Sequence, residues 1–519
     1  MIAAGATRPK ADSAMRRPNW WETPQFAASA VLLSAVPLLW PTIPPLTDLP
    51  GHMAQYRVML GTDADTLSRW LAFQWRPIAN LGVDLLVLML TPWLGLEPAV
   101  KLVVVATPML AASGMLWISR EAHGRVQPTA LFALPLASNY AFQFGFVNFT
   151  LAMALALNAL ALWMRLGRTG RVGLRAAIFV PLSVALWLAH LFGWAILGLL
   201  AFGVEAARRR DQGMAWPNAV IRGGLDCLPL ALPMLAFLAW LPAGVDRGSD
   251  AWATLRMKPS WLIMILRDRW KLFDVASVTI LAMLVYAGYR SRSFSTARGL
   301  SIGAVLLLAT FILIPFMDSY ADMRIAPYLA IVALLAIAPG RALTLARCQA
   351  LALAGLAFFG VRTAGVAISL YQEGQAWERK LAVLDHLPRG SRVAALVEMD
   401  CMPPWAQFRA SHLPSMAVLR RGSIANDQFV MGSDALVTIL PALDDGFITD
   451  PSQLVYAPPC AVGAERRTMA DALAKLPRAR FDYVWLMPRG TGRPPLPTGM
   501  IPIAVQRDSL LYRIDRPST

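Results

Sequence analysis

The sequence has few charged residues and very little cysteine for its length. Only 15% of its 519 residues are Asp, Glu, Lys or Arg, against about 25% in an average soluble domain. Just four residues are Cys, with no CxxC pair and no metal-ligand spacing, so neither dithiol redox chemistry nor a structural zinc site is indicated. A Walker loop, a GxGxxG before a helix and a Gly-x-Ser-x-Gly elbow are also missing, which leaves ATP-driven transport unsupported.

Long apolar runs occupy much of the chain instead. Hydrophobic residues make up 56% of it, and the mean hydropathy is +0.49. Runs such as 26–40, 100–118 and 302–316 approach the roughly 20 residues that a helix needs to cross a bilayer core. Backbone polar groups in lipid must be satisfied within the segment, so these runs should be helices. The sequence therefore predicts a polytopic α-helical membrane protein in contact with membrane lipid.

The net charge of +16 would suit a nucleic-acid-binding protein, but the Arg residues cluster between the apolar runs. In that position they are topology signals, and we expect no nucleic-acid partner. We expect the basic segment 1–24 to be cytoplasmic and to precede a retained signal-anchor. The positive-inside rule then gives about eleven spans in a bacterial inner membrane, including a hairpin of 129–141 and 147–164. The run 81–94 would be a non-crossing part of an external loop, 44–99, because a crossing would put nearly every basic loop outside.

The character of the chain changes after the transmembrane domain, 25–370. Residues 371–519 contain short β-like runs and one helical stretch, which predict a periplasmic mixed α/β domain. The expected strands are 393–397, 416–419, 436–440, 483–487, 501–505 and 509–514, and the helix is 469–476. Cys401 and Cys460 both fall in this domain, where an oxidising compartment would let them form a disulfide.

Asp48 follows the first apolar run and precedes Leu49, Pro50, Gly51 and His52. A helix can begin after Pro50, which places Asp48 close to the helix start. Two interpretations stay open from the residues alone. The carboxylate could take a proton from an acceptor hydroxyl, or it could cap the helix.

Further polar residues fall on the same predicted outer face. Asp84 lies in an apolar run, where an ionisable group is a functional candidate; the alternative is a hydrogen bond to Asn80. Asn148 and His190 lie at the outward apices of two predicted hairpins, and His190 has an equally simple structural interpretation.

A fourth polar group comes at the outer end of a late span. Arg324 stands at a predicted helix start with Asp322 beside it. An Arg in that position could hold a phosphate. A local ion pair between the two residues is equally plausible.

Taken together, these features resemble the GT-C superfamily of integral-membrane glycosyltransferases. The likeness lies in one span, a long external loop with an acidic residue, paired hairpin spans and an external tail. The run from Asp48 to His52 looks like the Asp-x-Pro-x-His version of that loop in bacterial membrane proteins. Segments 145–149 and 320–324 are similar to further pieces of the group, and 418–422 is similar to a strand of its tail domain.

The resemblance implies a polyprenyl-phosphate-linked sugar as donor and a glycan, lipid or protein as acceptor. Asp48 would be the catalytic base and Arg324 would hold the phosphate, with His52 and Arg57 as further candidates. The other implied substrate-binding residues are Asn80, Asp84, Asn148, His190 and Asp322. Many relatives have adjacent acidic residues here, sometimes with a metal, so a divalent metal stays open and no cofactor is assigned. The alternatives are a non-catalytic scaffold or accessory subunit of envelope-polysaccharide assembly and, third, a transporter.

Overall fold

A computed structural model describes residues 17–61, 64–239, 253–314, 320–400, 405–430, 435–440, 447–460, 466–489 and 498–515. Most of the cytoplasmic segment expected at 1–24 and the predicted disulfide partner Cys401 lie outside these ranges. The helices are α1 Pro24–Ala35, α2 Leu49–Met59, α3 Ala64–Leu67, α4 Gly82–Leu94, α5 Leu96–His123, α6 Tyr140–Phe144, α7 Val147–Arg168, α8 Val172–Ala189, α9 Leu191–Asp211, α10 Trp216–Asp226, α11 Leu232–Ala239, α12 Lys258–Ile263, α13 Lys271–Arg290, α14 Arg298–Leu313, α15 Ala321–Leu335, α16 Leu345–Leu381, α17 Met416–Arg421 and α18 Met469–Ala474. The strands are β1 Leu71–Phe73, β2 Phe294–Thr296, β3 Ile337–Pro339, β4 Arg392–Met399, β5 Ile424–Ala425, β6 Val437–Ile439, β7 Leu454–Tyr456, β8 Tyr483–Met487, β9 Met500–Gln506 and β10 Ser509–Ile514.

The chain is a multi-pass membrane protein. Within the described residues, six helical segments are long and apolar enough to cross a bilayer: α5, α7, α8, α9, α13 and the segment Leu345–His386 that contains α16. Shorter apolar helices are Pro24–Leu38, α4 and α14. These numbers do not confirm the predicted eleven spans. The span expected at 129–141 is instead built largely of two buried 3-10 helices, Pro128–Phe132 and Leu134–Ser138, each too short to cross.

The basic loops gather at one end of the helical bundle. Arg168 at the end of α7 pairs with Glu121 near the end of α5 at 2.6 Å, and Arg298 at the start of α14 pairs with Asp211 at the end of α9. At the same end β2, which precedes α14, pairs with β3, which follows α15. Clustering of the Arg residues on one face agrees with their interpretation as topology signals.

Helix α4 has both of its ends on the opposite face. In its first turn Asp84 accepts a hydrogen bond from Asn148. Just beyond its last turn, Glu97 accepts one from Arg420 of the C-terminal domain at 3.0 Å. Trp93, in the last turn, is 86% exposed. These contacts place both ends of α4 on one face of the bundle, and the absence of a crossing at 81–94 stays a prediction.

The C-terminal domain is built around a mixed sheet in the order β5-β4-β8-β10-β9, with β7 also paired to β4. Strand β4 runs parallel to β5, β7 and β8, whereas β10 is antiparallel to β8 and β9. The strands expected at 393–397, 483–487, 501–505 and 509–514 are all present. The domain boundary expected at 371 falls inside α16, which continues without a break to Leu381.

The strand expected at 416–419 is wrong, and so is the likeness of 418–422 to a strand, because α17 occupies this segment. All four residues from Met416 to Leu419 are buried. A short apolar run buried on every side has no periodicity that separates a strand from a helix. Gly422, with φ +58°, ends the helix in the left-handed conformation.

The external loop and the C-terminal domain are joined by a small sheet. Strand β1 of the loop pairs antiparallel with β6 of the domain, Leu71 opposite Ile439. Helix α2 of the same loop packs against α17. The domain therefore lies directly over the loop that carries Asp48.

Candidate active site

Asp48 immediately precedes α2, but its side chain makes no capping hydrogen bond. The structure therefore gives no support to the capping interpretation. The backbone N–H of Asp48 donates to the carbonyl oxygen of Phe144 at 2.9 Å, which fixes the loop against the end of α6. The side chain of Asp48 is 13% exposed.

A glycine makes this close approach feasible. Gly145 has φ +101°, a backbone conformation that side chains other than glycine's rarely adopt. A β-carbon there would stand 2.8 Å from the backbone nitrogen of Asp48 and 3.3 Å from its Cα. Gly145 thus sets the position of the carboxyl group through the backbone.

The C-terminal domain supplies the groups that face Asp48. His412 Nε2 lies 3.7 Å from Asp48 Oδ1 and 4.0 Å from Asp450 Oδ1. The ring of Phe429 packs 4.3 Å from that of His412 and 5.6 Å from that of His52. A β-carbon at Gly51 would overlap the Phe429 ring, so the absence of a side chain at Gly51 lets Phe429 pack against α2.

Burial dominates the electrostatics of the cluster. It raises the pKa of Asp48 well above its usual value, and Asp450 raises that pKa further, while Arg324 lowers it. Burial, with a smaller effect of His412, lowers the pKa of His52 to about 4. Burial also lowers the pKa of His412, against the opposing effects of Asp450 and of the Asp427 backbone. The neutral imidazole of His412 therefore adjoins the Asp48 carboxyl group, and the neutral imidazole of His52 packs against the same Phe429 ring.

Arg324 is the cation of the site. Its guanidinium stacks on Phe146 at 3.6 Å from the ring centroid and acts electrostatically on Asp48, His52 and His190. Within the described residues, its buried Nε has no hydrogen-bond partner. A guanidinium with an unused donor close to a carboxyl group is suited to hold an anionic group of a ligand.

Asp322 and His190 have structural partners. Asp322 is fully buried and pairs with Lys258 at 3.1 Å, and it accepts a hydrogen bond from the Met323 N–H. Its ion pair is thus with Lys258, not with its neighbour Arg324. His190 caps α9, since its Nδ1 accepts a hydrogen bond from the Phe192 N–H at 3.2 Å.

A hydrogen-bond network connects α4 and the segment before it to α7 through Asp84, Asn80 and Asn148. The Asn148 side chain donates to Asp84 Oδ2 at 2.9 Å and to the Asn80 carbonyl at 3.0 Å, and it accepts from the Val83 N–H at 2.5 Å. Asp84 is therefore bonded to Asn148 and not to the Asn80 side chain. Arg57 lies in the last turn of α2, roughly 13 Å from Asp48 along the helix axis.

Arg409 clamps the site from the C-terminal domain. Its guanidinium donates to the Pro45 carbonyl at 2.6 Å, to Gln143 Oε1 at 2.9 Å and to Asp268 Oδ1 at 2.6 Å. It also lines a cavity of about 850 Å³ between the two domains, together with Arg379, Arg489 and Arg507. The lining of this basic cavity has six Arg or Lys and three Asp or Glu side chains, and Arg409 connects it to the loop that holds Asp48.

Sequence reasoning missed His412, Asp450, Phe429 and Arg409. None of them stands in a motif, and only the fold brings them to the first external loop. Of the predicted disulfide pair, Cys460 is disulfide-bonded and Cys401 lies outside the described ranges. In the described part of the chain, no three or more His, Cys, Asp or Glu side chains are grouped to hold a metal ion.

No protein-family model matches this sequence, and no curated protein sequence matches it. The fold is similar to that of ArnT from Cupriavidus metallidurans. The apo crystal structure of ArnT matches with a TM-score of 0.50 at 14% identity, covering 95% of this chain and 98% of that one. A crystal structure of the same ArnT bound to undecaprenyl phosphate has a TM-score of 0.49 at 14% identity, over 95% of this chain and 99% of that one. The chain therefore has an ArnT-like membrane fold with a sheet-containing C-terminal domain.

Proposed function

We propose that this protein transfers a sugar from a polyprenyl-phosphate donor to an acceptor hydroxyl at the periplasmic face of the inner membrane. The observation that carries the proposal is the electrostatic interaction of Asp48 with Arg324, each of which shifts the pKa of the other. Asp48 is a carboxyl group that makes no capping hydrogen bond, and Arg324 is a half-buried cation whose buried Nε has no hydrogen-bond partner within the described residues. A proton acceptor beside an anion-binding group is what sugar transfer from a phosphate ester requires.

In the proposed reaction, Asp48 removes the proton of the acceptor hydroxyl as its oxygen attacks the anomeric carbon. The bond from that carbon to the phosphate oxygen breaks, and the polyprenyl phosphate leaves with the electron pair. Arg324 stabilises the negative charge that develops on the phosphate. Since the guanidinium is held on the Phe146 ring, little of its binding energy is lost to reorientation.

The remaining predicted residues have supporting parts in this proposal. His52, neutral at pH 7, packs against Phe429, which in turn contacts His412 beside Asp48. The hydrogen bond between Asp84 and Asn148 joins the first turns of α4 and α7. The acceptor enters through the basic cavity, which Arg409 connects to the Asp48 loop. We place the basic loops in the cytoplasm and the C-terminal domain in the periplasm, as the positive-inside rule requires.

The test is a transfer assay on bacterial membranes with and without the protein. Undecaprenyl-phosphate esters of different radiolabelled hexoses and pentoses are supplied in turn, and label is followed into lipid, glycan and protein fractions. The proposal expects one donor to give label that depends on the protein. If purified protein returned to depleted membranes transfers no label from any polyprenyl donor, the non-catalytic scaffold is the better account.

A further inference from the structure

His412 and Asp48 come from different domains and meet in a buried site. His412 Nε2 lies 3.7 Å from the Asp48 carboxyl and 4.0 Å from that of Asp450. The His412 side chain is 9% exposed, Asp48 13% and Asp450 33%. One ring nitrogen therefore faces two carboxyl groups, one on the membrane-domain loop and one on the C-terminal domain.

A buried carboxyl group that acts as a base needs a second group to accept the proton that it takes up. Burial favours the protonated form of Asp48, so the group cannot act again until the proton leaves. Arg324, the cation that acts electrostatically on Asp48, is a guanidinium and accepts no proton. His412 offers a nitrogen towards Asp48, and Asp450 stands beside it to balance the positive charge that protonation creates.

We propose that His412 is a positioning residue that orients Asp48 and receives the proton that Asp48 takes from the acceptor. This inference rests on the proposed function. The acceptor O–H bond breaks as the new bond to the anomeric carbon forms, and the electron pair of the broken carbon–oxygen bond stays on the departing phosphate. The proton passes to Asp48, then to His412 Nε2, and from there to water.

The sign of the pH dependence follows from the groups around the ring. Asp48 and Asp450 face Nε2, His52 adjoins it, and the Asp427 backbone raises its pKa. Only the neutral ring can accept a proton, so transfer rises with pH through the His412 pKa. Removal of a facing carboxylate makes the charged ring less stable and lowers that pKa.

The first test compares His412→Gln with His386→Gln in the full-length protein. His386 is an exposed histidine of the same C-terminal part of the chain and serves as the matched control. His412→Gln should lower kcat at least about tenfold, leave the donor KM within about twofold, and change the acid limb of the pH profile. His386→Gln should match the wild type. A loss in His412→Gln that is equal at every pH overturns the proposal, as does an unchanged kcat.

The second test needs no donor. In protein labelled with ¹⁵N-histidine, the ring signals of the five His residues are followed with pH, and His412→Gln identifies the signal of His412. Asp48→Asn and Asp450→Asn should each lower the pKa of that ring. If neither variant moves it, the coupling does not exist and this inference fails. A coupled His412 in a wild-type protein that transfers no sugar would overturn the proposed function instead.

Discussion

Gly145 lies so close to Asp48 that a β-carbon at the glycine would stand 2.8 Å from the backbone nitrogen of Asp48. The turn after α6 and the start of α2 thus form one unit, closed by the hydrogen bond from Asp48 to Phe144. The position of the proposed base depends on a residue that never touches the substrate.

Gly145→Ala should therefore reduce activity by more than backbone strain explains. Strain at a positive φ costs about 1–2 kcal/mol, and the overlap also displaces Asp48. Gly170→Ala is the matched control, because Gly170 has φ +71° with nothing within 4 Å of its would-be β-carbon. Both variants should lose thermal stability, Gly145→Ala the more because of its overlap, while only Gly145→Ala loses most of its transfer rate. Equal transfer rates would mean that Gly145 does not position Asp48.

Arg324 should control the affinity for the phosphate. Arg324→Gln removes the charge, and we expect the dissociation constant for undecaprenyl phosphate to rise at least about tenfold, or about 1.4 kcal/mol. Arg324→Lys keeps the charge but loses the planar stacking on Phe146, so its affinity should be intermediate. Binding is measured by titration in detergent, with the exposed Arg347→Gln as control. Unchanged binding in Arg324→Gln would remove Arg324 from the site.

Arg409 should be needed to hold the two domains together at the site. Its ion pair with Asp268 is almost fully buried, at 3% and 4% exposed, and removal of one partner of such a pair costs about 3–5 kcal/mol. Arg409→Ala should lower the thermal midpoint by several degrees. Arg421→Ala, whose partner Asp385 is 82% exposed, should have little effect. Similar thermal midpoints for both variants would contradict the claim that Arg409 holds the two domains together.

The fold was predictable from the sequence only in part. Strands β8 and β10 have the bounds that the sequence predicts, although both are almost entirely buried and neither shows the two-residue period of a half-buried strand. The segment from Met416 to Leu419 is buried in the same way but forms a helix, because a short, fully buried apolar run has no period that separates a strand from a helix. The short 3-10 helices within 128–138 were missed for a related reason: hydropathy detects apolar content but not the length of the helix.

Only the part of the site that the membrane domain supplies was predictable. Asp48 stands in a recognisable run before Pro50, and Arg324 is a basic residue at a predicted helix start. The other part comes from the C-terminal domain, and its contacts join residues far apart in sequence, such as Arg409 and Pro45 at a separation of 364 positions. Composition and periodicity carry no information on contacts of that kind.

The ionised carboxyl group of Asp48 should lower the stability of the fold at neutral pH. Its folded pKa lies above the unfolded value of about 3.9, so the fold favours the protonated group and loses stability as pH rises towards the folded pKa. Asp48→Asn removes the charge, so its thermal midpoint at pH 7–8 should equal or exceed that of the wild type. A clear drop at that pH would mean that the ionised carboxyl supports the fold.

The most direct test of the account compares transfer rates of wild-type protein and Asp48→Asn with the active undecaprenyl-phosphate sugar. Undecaprenyl phosphate binding is measured in the same preparations to establish that both are folded. The account predicts a fall of about 10²- to 10⁴-fold in transfer with binding retained. Transfer by Asp48→Asn at the wild-type rate would contradict it.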